Sequence, residues 1–90
     1  MKNNFEQERE INEMLRQQEL FTDFVEIKEK DTEYPFKAVV IQMDGDWKHE
    51  HMRLDEVMKE NGYVYLLKEM VQDSDSDWYV AKHIYTKWGW

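Results

Sequence analysis

The chain has 90 residues, no cysteine and a single proline, and its twenty Asp and Glu against twelve Lys and Arg give a formal charge of −8. A chain this short makes one domain with a small core, burying roughly 60–65% of its unfolded surface. The charge removes counterion-release affinity for nucleic acid and attraction to anionic lipid, and the lack of cysteine removes disulfides and thiolate metal sites.

Hydrophobic residues are 41% of the chain and aromatics 14%, too much apolar side chain for a disordered segment despite the 36% that are charged. The first ten residues lack an apolar run, and the longest aliphatic stretch spans only Ala38 to Ile41. Neither a signal peptide nor a membrane span is expected, so the expected location is the cytoplasm.

Residues 4–20 read as an amphipathic helix. Asn4 is placed to cap it, with Gln7 as the capping-box partner three residues on. Ile11, Met14, Leu15 and Gln18 share a face that Phe21 can extend, while Glu6, Glu10 and Glu13 line a solvated edge. From Phe24 to Lys30 the period becomes two. Val25 and Ile27 oppose Glu26 and Lys28, the pattern of a half-exposed edge strand. After a turn at 31–33 and Pro35, the stretch Phe36 to Met43 is apolar on both faces, as a central strand is. So short a connection predicts an antiparallel hairpin.

A second helix is expected over 47–61. Trp47, His51, Leu54 and Met58, with Val57 beside them, form one apolar stripe; Asp46 can cap its start and Asn61-Gly62 can end it. Two further strands follow, over Tyr63–Gln72 and Trp78–Trp88, joined by the polar loop Asp73–Asp77. The order α-β-β-α-β-β without a parallel crossover predicts a single α+β domain with a four-stranded antiparallel sheet. The C-terminal strands send Val64, Leu66, Met70, Val80 and Ile84 one way and Tyr63, Tyr65, Tyr79, His83 and Tyr85 the other. One helix can cover the aliphatic face. The tyrosine face is then covered by the N-terminal helix or left partly open.

None of the chemistry-bearing clusters points to an enzyme or a cofactor. His49 and His51 lie about 200° apart on a helix, so they cannot grip one metal ion, and a hydrogen-bonded, buried His51 is expected. Asp73, Asp75 and Asp77 resemble the start of a calcium loop, but Trp78 stands where its glycine belongs and Ile84 where its glutamate belongs. There is no marked nucleophile–base pair and no glycine-rich phosphate loop. The aromatics suit protein contact instead, because Tyr and Trp dominate interface hot spots. Base stacking on them is disfavoured by the charge.

The expected function is accordingly non-enzymatic: a small acidic protein that occupies a basic, nucleic-acid-binding site on a larger protein. This is the manner of DNA-mimicking inhibitors encoded by phages and mobile elements against host defences such as CRISPR or restriction enzymes. Carboxylates two residues apart on an extended segment lie roughly 6–7 Å apart, about twice the axial phosphate spacing, so alternate phosphates can be imitated. The candidate partner-binding residues are Asp44, Asp46, Asp73, Asp75 and Asp77, with Tyr63, Tyr65, Tyr79, Tyr85 and Trp90. The alternative is a structural or adaptor domain that self-associates, as a homodimer, through its aromatic sheet face.

Overall fold

The computed structural model describes residues 3–30, 34–44, 48–72 and 79–90. They form helix α1 (Asn4–Gln17), strands β1 (Phe24–Lys28) and β2 (Ala38–Asp44), helix α2 (Lys48–Glu60), and strands β3 (Tyr63–Gln72) and β4 (Tyr79–Lys87). The sheet order is β1-β2-β4-β3 and each neighbouring pair is antiparallel, so the fold is the α+β arrangement expected. Both predicted hairpins form, and the two central strands are β2 and β4. No described helix is long and apolar enough to cross a membrane.

The cap of α1 sits one residue earlier than expected. Asn3, in extended conformation, accepts the Glu6 N–H through its side chain at 2.8 Å, while its carbonyl accepts from Gln7 N–H at 3.1 Å. The helix also ends earlier, at Gln17, by a Schellman turn. Leu20 N–H donates to Leu15 O at 2.9 Å and Glu19 N–H to Arg16 O at 2.9 Å, with Glu19 at φ 58°. This turn swings Leu20 inward against Leu15, both fully buried, and leaves Phe21 exposed rather than on the apolar face. At the other helix Gly62 adopts φ 88° and donates to Lys59 O at 3.1 Å, the stop expected of it. Asp46 and Trp47, its expected start, lie outside the described residues.

Both helices pack on the same face of the sheet, the one to which β4 contributes Tyr85. The N-terminal helix thus covers the tyrosine face, one of the two alternatives expected, and the expectation that the other helix would cover the opposite, aliphatic side of the C-terminal strands is corrected. One core joins Ile11 and Leu15 of α1, Leu54, Val57 and Met58 of α2, and Val25, Ile27, Val39, Ile41, Met43 and Tyr85 from three strands. The register explains this. Val39 pairs with Tyr85 and Ile41 with His83, so the tyrosine–histidine side of β4 continues the aliphatic side of β1 and β2. Ile84 falls on the opposite face, where it packs with Ala38, Val40, Leu66 and Tyr34, a residue of the β1–β2 connection. β2 can face both ways because it is apolar on both sides.

A bulge between Tyr65 and Leu67 shifts the register of β3 against β4. Beyond it the alternation inverts, and Lys68 and Met70 pair with His83 and Ala81 on the helix-covered face. Met70 therefore shares the side of Tyr65, not that of Val64 as simple alternation predicted.

Candidate functional site

Among the described residues, three places carry polar chemistry or exposed aromatic surface. The first is the acidic side built by α1 and β1. Helical spacing strings Glu6, Glu10 and Glu13 along α1, and all three are exposed, as are Glu19, Asp23, Glu26 and Glu29. Glu8 is committed differently: its carboxylate accepts the Ile27 N–H at 2.7 Å and so covers the outer edge of β1. Asn4 donates to the Glu29 carboxylate at 2.6 Å, tying the start of the helix to the end of that strand. Phe5 and Phe21 are exposed on the same side, at 65% and 75%, and Phe24 borders a groove of about 570 Å³ between α1 and β1.

The second place lies between α2 and β3–β4, where His51, Met52, Asp55, Tyr65, Lys68 and His83 line an open pocket of about 210 Å³. His51 Nδ1 meets His83 Nε2 at 2.5 Å, one nitrogen donating and the other accepting, with the rings 4.7 Å apart. His51 is thus buried and hydrogen-bonded, as expected of it. Burial, then His51, then Lys68 push the His83 pKa down to about 4, with Asp55 opposing in part. Tyr85 donates from its hydroxyl to Asp55 at 3.2 Å, and Asp55 also pairs with Lys59 at 2.9 Å. Burial, followed by the Asp55 charge, holds the Tyr85 phenol protonated well above its ordinary range. Among the described residues no group of three or more His, Asp or Glu is arranged to hold a metal ion.

The third place is the aromatic C-terminus. Trp90 packs edge-on against Tyr63 at 5.7 Å, with the Lys37 ammonium 5.0 Å from the indole centroid and Lys87 5.1 Å from the Tyr63 centroid. Both rings are half-buried, whereas Trp88, expected to end the last strand, lies just past β4 and is 87% exposed.

The candidate residues therefore scatter. Tyr85 is fully buried, a correction to its expected role: the phenol that reads as a contact residue is a core residue under both helices. Tyr65 stays partly exposed and stacks edge-on against Tyr85 at 5.8 Å. Tyr63 and Trp90 cluster with each other, far along the chain from the pairing of Asp44 with Val80 and of Tyr79 with Gln72. Asp46, Asp73, Asp75 and Asp77 lie outside the described residues. What sequence reasoning missed is the His83–His51 contact and the Tyr85–Asp55 bond, which join residues 32 and 30 apart and leave no local signal. Comparison of the chain with protein-family models, curated proteins and solved structures finds no match.

Proposed function

We propose that this protein binds through its acidic α1–β1 side to a basic surface on a larger protein, and that it acts there as a competitor of nucleic acid. The observation that supports this reading is the line of exposed carboxylates Glu6, Glu10 and Glu13 along α1, with exposed Glu19, Asp23, Glu26 and Glu29 after it, on a chain of formal charge −8. Such a surface can steer a basic partner. Glu6, Glu10 and Glu13 rise along the helix by about 6 and 4.5 Å, on the scale of phosphate spacing on one DNA strand. Phe5, Phe21 and Phe24 supply apolar contact beside the charge, which would slow dissociation once steering has brought the partners together.

The partner class is a nucleic-acid-handling enzyme with a basic cleft, and the biological setting that fits is inhibition of a defence enzyme by a phage or mobile element. Tagged protein incubated with nuclease-treated host lysate should capture such an enzyme, release it as salt rises, and inhibit its activity when added back. Replacing Glu6, Glu10 and Glu13 together by Gln should abolish capture, and replacing Asp73, Asp75 and Asp77 by Asn should weaken it. Capture that ignores salt and both triple variants would overturn the reading.

A further inference from the structure

Two histidines from separate elements bring ring nitrogens together beneath α2. His51 stands on the helix and His83 on β4, 32 residues apart in the chain and both buried, with His51 Nδ1 facing His83 Nε2. Strand pairing places His83 between Ile41 of β2 and Lys68 of β3. A hydrogen bond alone satisfies the two rings as a core pair. Three further features suit a metal ion. Imidazole nitrogen is the commonest protein donor to late first-row metals, and here two such nitrogens converge from a helix and a strand that share one core. The pair lines the open pocket between α2 and β3–β4, so an ion has an entry path and water can complete its coordination. Asp55, at i+4 from His51 and so on the same side of the helix, lines that pocket too, its carboxylate fixed by the Tyr85 hydroxyl and by Lys59.

We propose that His51 Nδ1 and His83 Nε2 together bind one divalent late first-row metal ion, of the copper–zinc class, with water in the remaining positions. Among the described residues no third His, Asp or Glu converges with them, so this is a two-ligand, solvent-open site, weaker than a closed structural zinc centre. The nitrogens stand 2.5 Å apart and share one hydrogen. Metal–nitrogen bonds of about 2.0–2.1 Å at square-planar to tetrahedral angles separate them by roughly 2.9–3.4 Å. The rings therefore part by less than about 1 Å, and the shared hydrogen leaves the contact, to the far nitrogen of its own ring or to solvent. Nitrogen donors select against magnesium and calcium, which take oxygen. Charge tunes the site in both directions. The formal −8 of the chain and the Asp55 carboxylate attract a cation, and the Lys68 ammonium on the pocket wall opposes it.

Copper(II) is the probe, because nitrogen sites bind it most strongly in the divalent series. Titrated at neutral pH into the wild-type protein, it should bind at one ion per chain, and electron paramagnetic resonance should show two imidazole nitrogens. Excess magnesium should not displace it. His83→Leu should weaken binding at least tenfold, whereas His49→Ala, at an exposed histidine of the same helix, should leave it unchanged. Lys68→Gln should tighten binding severalfold and Asp55→Asn should weaken it, shifts that a purely structural histidine pair would not produce. Lys68 is exposed, so that variant keeps the test decisive even where His83→Leu does not fold. Absence of stoichiometric binding, full affinity in folded His83→Leu, a spectrum without two imidazole nitrogens, or unchanged or weaker binding in Lys68→Gln overturns the proposal. The test involves none of the α1 carboxylates, so any of these results leaves the reading of the acidic side intact.

Discussion

His83 shows how one side chain can govern the response to pH. It is buried against His51 and held neutral, with a pKa near 4 where an unfolded chain has about 6.5. Between those values the unfolded state binds the extra proton, so stability is complete above pH 6.5 and falls as the pH drops toward 4, by on the order of 3 kcal/mol. Tyr85 acts with the opposite sign at the alkaline end. Its raised pKa favours the protonated fold, so stability declines as the pH climbs above 10, where the unfolded phenol ionises first. Urea midpoints measured across pH 4–11 should form a plateau between about 6.5 and 10, and replacing both His51 and His83 by Leu should flatten the acidic limb. An unchanged acidic limb in that double variant would show that other groups set it. Glu19 offers a second residue-level test. It occupies the left-handed C′ position that glycine suits best, so Glu19→Gly should raise stability by about 0.5–1 kcal/mol, read as a higher melting temperature.

At the scale of elements, both helices and all four strands were legible because their apolar residues keep a 3.6 or a two-residue period. Boundaries were less so: two adjacent asparagines compete to cap α1, and only geometry selects Asn3. The face of β4 was not legible either. Ile84 on one side and Tyr85 on the other are both able to fill a core, and alternation alone cannot tell which side the helices cover. The answer comes from the register with β2, a pairing between residues about forty positions apart. The bulge in β3 left no glycine or proline to announce it, which is why Met70 was assigned to the wrong side. These placements separate two tyrosines that look equivalent in sequence. Tyr85→Ala removes a fully buried ring and should cost about 3–5 kcal/mol, whereas Tyr65→Ala loses a half-exposed edge-on contact and should cost about 1 kcal/mol. Chemical denaturation of the two variants distinguishes them, and similar losses would contradict the burial of Tyr85.

For the whole molecule, the sheet order decides what stands beside the carboxylates of α1. With β1 at one edge and β3 at the other, Phe5, Glu8, Glu13 and Phe24 come to line one groove between α1 and β1. The acidic total was legible from composition, but which carboxylates the fold sets beside exposed phenylalanines was not. The candidate carboxylates Asp73, Asp75 and Asp77 lie outside the described residues, while the α1 line reads from sequence only as a solvated edge. The fold leaves that line exposed beside Phe5 and Phe21, and this is why it now carries the functional proposal.

On the proposed reading, the exposed carboxylates of α1 and β1 steer the protein onto a basic partner. The most direct measurement is the association rate constant with the captured enzyme at about 50 and 500 mM salt, for wild type and for the Glu6, Glu10 and Glu13 to Gln variant. The variant removes a run of like charges and should fold at least as stably as wild type, so slower association would not reflect unfolding. Wild type should associate at least tenfold more slowly at the higher salt, and the variant should be slow at both. Equal rates for the two proteins, each unaffected by salt, would contradict the account.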